Sequence, residues 1–174
     1  YWKGQKLFIE ALNILNKKNS LENVQAFIIG SDQGRVRYKD ELIQMIKAHS
    51  LQSKLSIAHG LNKMPVAYAI ANLVLSSSIE PESFGRVSVE AQSMEKPVLA
   101  SDIGGSLETV INNKTGWLFK NNDVNDLSKK LEMVIKTEQK VLDLIGKQGR
   151  KNVKENYTRE LMVSRTLEIY SSLV

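Results

Sequence analysis

The chain contains no cysteine, which excludes disulfide staples, thiolate metal sites and thiol nucleophiles and fits a reducing compartment. Three prolines and ten glycines in 174 residues are too few and too scattered for a collagen-like or low-complexity chain. No apolar run reaches the roughly 18 residues that a membrane-spanning helix needs. A strong charge of one sign is also missing. Twenty-four Lys and Arg against nineteen Asp and Glu leave +5. The lysines are spread along many segments with no face of basic and aromatic residues, so a nucleic-acid module is excluded. The small excess suits a phosphate-bearing ligand or an anionic membrane surface. The chain starts at Tyr1 without a signal-peptide pattern, and is read as a piece of something larger.

What is present is ordinary for a globular fold: 42% hydrophobic and 25% charged residues. The length matches one α/β domain, which buries roughly 70% of the surface of its unfolded chain and needs no staple to fold.

The hydrophobic period alternates along the chain. Leu7, Phe8, Ala11, Leu12 and Leu15 fall at helical spacing between Lys3 and Asn16. The apolar run Val24–Ile29 then stops at Gly30 and reads as a buried strand. Arg37–His49 is helical, with Leu42, Ile43, Met45 and Ile46 inward. Further strands are expected at Leu55–His59, Leu73–Leu75, Pro97–Ala100 and, at an edge, Gly116–Phe119. Helices fit at Met64–Ala71, Arg86–Met94, Gly105–Ile111, Val124–Ile135 (with Asp123 as N-cap) and along a long tail. Such alternation predicts an α/β domain built on a doubly wound parallel sheet covered on both faces. That domain is expected over residues 1–157. Thr158–Val174 is expected to be a separate amphipathic C-terminal helix that covers either the domain's own sheet or a partner domain.

Ligands of such a sheet bind outside the carboxyl ends of its strands, which directs attention to the corners after Gly30, His59-Gly60, Ser76 and Ser101. The richest is Ser76–Glu90. Pro81 discourages helix before it, and Gly85 lets backbone and ligand approach closely. The free amides of the first turn after Gly85 point into the crevice with the positive end of the helix dipole behind them, a place for phosphate or diphosphate. Glu82 stands at the mouth. Glu90 lies eight positions on, about two turns, and leans back toward the same end. Two acids beside an anion site make sense where the ligand also carries vicinal hydroxyls, as a nucleotide sugar does. Alternatively they only stabilise the helix N-terminus by roughly 0.3–1 kcal/mol.

Four segments, in this order, resemble the C-terminal, donor-binding half of GT-B glycosyltransferases of family 4 (glycosyl transferases group 1). Glu82-Ser83-Phe84-Gly85-Arg86-Val87-Ser88-Val89-Glu90-Ala91 resembles that family's E-x7-E signature. Lys96–Ser101 with Gly104, Gly105 and Glu108 resembles its next strand and corner, and Asn113–Leu118 its edge. Trp2-Lys3-Gly4 resembles the lysine end of a diphosphate-gripping R-x4-K pair, whose arginine would precede Tyr1.

The resemblance implies a Rossmann-like fold and a retaining enzyme that takes its sugar from a nucleotide diphosphate, with no cofactor and no metal. It implies that Glu90 binds the ribose and that Glu82 and the backbone of Ser83, Phe84, Gly85, Arg86 and Val87 hold sugar and β-phosphate. Lys3 would neutralise the leaving diphosphate, while Gly30 and Gly60 wall the donor site. It further implies a separate N-terminal acceptor-binding domain. The "FGRVSVEAQ" wording looks closest to enzymes of bacterial envelope polysaccharide and lipopolysaccharide synthesis, working in the cytoplasm or at the inner face of the membrane.

Departures are Ser83, where glycine is usual, a longer Gly30–Gly34 loop, and Glu95, where glycine usually precedes the strand. Glu95 is expected to cost a left-handed turn roughly 1 kcal/mol. His49 reads as a helix-end cation and His59 as a strand-end residue, and Trp2, Trp117 and Tyr157 read as packing. Arg86 is favoured over Arg35 for ligand contact. A non-catalytic flavodoxin-like nucleotide module and a sugar-nucleotide 2-epimerase of GT-B architecture are the alternatives.

Overall fold

A computed structural model describes residues 1–31, 34–58 and 63–173. Thirteen elements follow one another: α1 (Gln5–Lys17), β1 (Ala26–Ile29), α2 (Val36–Ala48), β2 (Leu55–Ala58), α3 (Met64–Ile70), β3 (Val74–Ser76), α4 (Arg86–Ser93), β4 (Val98–Ser101), α5 (Ser106–Thr109), β5 (Gly116–Phe119), α6 (Val124–Ile135), α7 (Gln139–Asn156) and α8 (Arg159–Ser172). All strand pairs are parallel, with Ala26 opposite Leu55, Val74 opposite Val98 and Val98 opposite Gly116. The α/β expectation and its parallel character hold.

The sheet is not one ladder. β1 pairs with β2, and β3-β4-β5 form a second ladder, with no pairing between β1 and β3 among the described residues. Nor is every face covered. Along β1, Ala26 and Ile28 pack against the larger core while Phe27, on the opposite face, is 52% exposed. At β4 the double winding is complete, because Leu99 faces the larger core and Val98 and Ala100 a smaller one with Ala91 and Val110. The larger core takes Ile9, Leu12 and Leu15 of α1, Leu42 and Ile46 of α2, Trp117 and Phe119 of β5, and Leu127 and Leu131 of α6.

One helix boundary differs from the sequence reading, and two further helices add to it. The helix expected at Gly105–Ile111 is the four-residue α5, ended by extended Val110. The helix after α6 is the 18-residue α7, which packs its buried face, including Gly146 and Gly149, on α4 and β5. α8 buries none of its residues; Met162, Leu167, Ile169 and Tyr170 are exposed, so it does not cover this domain's sheet. Asp123 is the N-cap of α6 as expected, accepting from the amides of Asn125 and Asp126, and these bonds hold its carboxyl below its ordinary range. His49 sits at the C-terminal end of α2 with its Nε2 3.1 Å from Glu10.

Candidate functional site

The corner between β3 and α4 is built from three loops at the carboxyl ends of adjacent strands and a strap made of the first four residues. The strap is sewn to the β3–α4 loop. The Trp2 carbonyl accepts from the Ile79 amide at 2.8 Å, the Lys3 carbonyl from the Ser77 hydroxyl at 3.0 Å, and the Tyr1 hydroxyl donates to Glu80 at 3.1 Å. Gly4 turns the chain into α1 at φ +70°, and a Cβ there would lie 1.8 Å from the Ser77 carbonyl oxygen. Only glycine fits.

This strap delivers Lys3 to Glu82. The ammonium lies 2.8 Å from Glu82 Oε1 and 4.1 Å from the centre of the Trp2 ring. Ser78 donates its hydroxyl to the same oxygen. Glu82 is thus turned inward, its side chain only 16% exposed. Both contacts fall on Oε1, and among the described residues nothing bonds Oε2.

The other two loops brace this one. The Gly105 amide donates to the Glu82 carbonyl at 2.7 Å, and a Cβ at Gly105 would lie 2.4 Å from Phe84 backbone. Asn121, after β5, ties all three corners: it accepts from the Ser101 hydroxyl, donates its backbone amide to Asp102, and donates its side-chain amide to the Ile79 carbonyl.

Gly85 starts α4 in the left-handed region, and no side chain caps the helix. The amides of Ser88 and Val89 go to the Gly85 carbonyl. Those of Arg86 and Val87 have no partner among the described residues, so they remain available to an anion. Ser83 and Phe84 are exposed beside them, and the Phe84 ring meets Tyr157 edge-on at 5.6 Å. Tyr157 therefore does more than fill space: its hydroxyl donates to the Glu108 carbonyl at 2.8 Å, fixing the α7–α8 junction beside the loop.

Glu90, one turn along α4, is held at both oxygens. Arg86 reaches Oε1 with Nε and Nη2 at 3.2 and 2.9 Å, and Tyr68 of α3 donates to Oε2 at 2.9 Å. Burial first, then the bond to Glu90, pushes the Tyr68 phenol well above its ordinary range. Arg86, expected as a ligand contact, spends its guanidinium on Glu90. Glu95 does adopt the left-handed turn, at φ +58°, and its carboxylate pairs with Arg150 of α7 at 3.3 Å.

The structure thus brings Lys3, Glu82, Ser83, Phe84, Gly85, Arg86, Val87 and Glu90 to one corner. Gly30 ends β1, in the other ladder, exposed and with open space around it. Gly60 and His59 lie outside the described residues. Sequence reading missed Tyr68 and Asn121, which earn their places through tertiary contacts, and Ser78, which acts by a bond within the β3–α4 loop. A shallow cavity of about 250 Å³ lined by Asn16, Asn19, Leu21, Glu22 and Lys54 lies at the opposite ends of the strands and has no part in this corner.

A parallel α/β fold whose strand-end loops frame an uncapped helix start, two cations and two braced carboxylates defines a Rossmann-like domain of GT-B type. The chain belongs to the glycosyl transferases group 1 family, whose model matches residues 1–152. It is similar to the capsular polysaccharide biosynthesis glycosyltransferase CapM of Staphylococcus aureus, 31% identical over 93 residues, which are 53% of this chain and 24% of that protein. In structure it resembles a glycosyltransferase from Rickettsia africae ESF-5, with TM-score 0.90 and 30% identity over 99% of this chain and 45% of that one. It also resembles Anabaena Alr3699/HepE, solved in complex with UDP and glucose, with TM-score 0.88 and 27% identity over 98% of this chain and 45% of that one. The chain therefore spans less than half the length of each of these relatives.

Proposed function

We propose that this domain is the donor-binding half of a retaining family 4 glycosyltransferase. The whole enzyme moves a sugar from a nucleotide diphosphate to a glycan or lipid-linked acceptor in bacterial envelope polysaccharide or lipopolysaccharide synthesis. The observation that carries the reading is the meeting of Lys3, Glu82 and the two unpartnered amides of α4 at one corner. The UDP and glucose of the HepE structure and the capsule role of CapM support it.

On this reading the β-phosphate sits on the Arg86 and Val87 amides, and Lys3 swings from Glu82 to the diphosphate. As the glycosidic bond breaks, negative charge gathers on the departing phosphate. A cation and oriented amides already in place stabilise that charge more than they stabilise the bound donor. Glu82 Oε2 accepts from a hydroxyl of the transferring sugar, and Glu90 accepts from the ribose diol. No metal or cofactor is assigned to the step. The acceptor binds a second, N-terminal domain, for which the length of the relatives leaves room. The exposed apolar residues of α8 are assigned to that domain, and closure of the two halves excludes water from the reaction. The reading places the enzyme in the cytoplasm, peripheral at the inner face of the membrane. Alone, this half binds nucleotide weakly and transfers nothing.

Calorimetry with UDP, GDP and ADP and their 2′,3′-dideoxy forms tests it. Glu90→Ala should weaken the preferred ribonucleotide by about 1–3 kcal/mol and leave the dideoxy form unaffected. Equal affinity of the unaltered chain for ribose and dideoxyribose forms contradicts the assignment.

A further inference from the structure

Tyr68 is 5% exposed, packed with Ala91, Val98, Ala100 and Val110 in the smaller core. Its hydroxyl makes one hydrogen bond, to Glu90 Oε2. The two residues that hold Glu90 are not equivalent. Arg86 sits on the same helix with its side chain 82% exposed, and an exposed i,i+4 ion pair is weak and screened by salt. Tyr68 comes from a different helix, its ring is clamped by the core, and its hydroxyl can be aimed nowhere else without losing its partner.

We propose that Tyr68 is the positioning residue that makes this site selective for ribose, acting through the carboxylate of Glu90; the proposal rests on Glu90 being the ribose acceptor. A carboxylate oxygen accepts about two hydrogen bonds. Tyr68 takes one on Oε2 and Arg86 takes both on Oε1, which fixes the carboxylate plane and leaves one acceptor direction, on Oε2. Oε2 accepts one hydroxyl of a vicinal diol, and Oε1 accepts the other once the exposed Arg86 side chain turns away from it. Without the phenol, Glu90 pivots toward Arg86 and Oε2 is no longer aimed at the diol. The hydroxyl must stay protonated to donate, and burial together with the neighbouring carboxylate keeps it so.

The test measures dissociation constants of UDP, GDP and ADP and of their 2′,3′-dideoxy forms for the unaltered chain, Tyr68→Phe, Glu90→Ala and the double variant, each checked by thermal melting. The expected result is that Tyr68→Phe loses about fivefold or more for the preferred ribonucleotide while dideoxy affinity stays within about twofold. In the Glu90→Ala background, Tyr68→Phe should change the ribose preference no further. If the unaltered chain binds no diphosphate, or binds both sugar forms equally, the Glu90 assignment fails and the proposal falls with it. If ribose is preferred and Tyr68→Phe keeps that preference, or weakens both forms alike, the positioning role is overturned while the Glu90 assignment stands. A Tyr68→Phe effect that persists in full without Glu90 overturns it too.

Discussion

Lys3 and Glu82 stand 2.8 Å apart, and the strap that carries the lysine is hydrogen-bonded to the loop that carries the acid. The corner is therefore close to neutral, because the Lys3 ammonium is spent on a carboxylate. A diphosphate has to compete with Glu82 for Lys3, and the two acidic roles of the corner separate on that point.

Glu82→Gln should release Lys3 and tighten a bare nucleoside diphosphate several-fold, while weakening a donor that carries its sugar. Lys3→Met should weaken both, and the loss should shrink as salt rises. Titrations at low and high ionic strength decide this. Equal losses of bare nucleotide and sugar donor in Glu82→Gln would contradict the competition.

Gly4→Ala tests the strap itself. A Cβ 1.8 Å from the Ser77 carbonyl at φ +70° combines overpacking with a left-handed penalty, so a destabilisation of about 2–4 kcal/mol is expected. Chemical denaturation measures it. A change below about 0.5 kcal/mol would mean that the strap does not hold Lys3 in place.

The alkaline limit of stability should be set in part by Tyr68. Its phenol is raised above the ordinary value of 10.0 in the folded chain, so the unfolded chain ionises first. Stability is full below about pH 10 and falls as pH rises toward the folded value. Tyr38 and Tyr157 are raised by burial in the same direction, so Tyr68→Phe should flatten the alkaline fall without abolishing it. Thermal melts between pH 8 and about 11 report the slope; an identical slope in the variant contradicts the assignment.

Much of the fold was legible because each strand is a short apolar run closed by a turn and each helix carries its own stripe, as with Leu12 and Leu15 or Leu127 and Leu131. The Glu82–Glu90 corner was legible because Pro81, Gly85 and the spacing of the acids are local features. Glu95 was legible as a left-handed turn, but not its partner Arg150, since a contact between α4 and α7 leaves no local trace. Tyr68 and Asn121 were opaque for the same reason, since they matter through bonds to residues on other elements; Ser78 acts within its own loop, where the sequence carries no sign of the fold-back. The split of the sheet and the exposure of Phe27 and α8 were hidden too, because hydrophobic period reports which residues seek cover and not whether cover is present.

The most direct test is an amide NMR titration of this chain with UDP, GDP and ADP. The account predicts that the nucleotide that binds moves the backbone amides of Ser83, Phe84, Gly85, Arg86 and Val87 most, with the Lys3 ammonium responding and the residues around Asn16 and Lys54 silent. Shifts centred elsewhere, with the α4 start unmoved, contradict it.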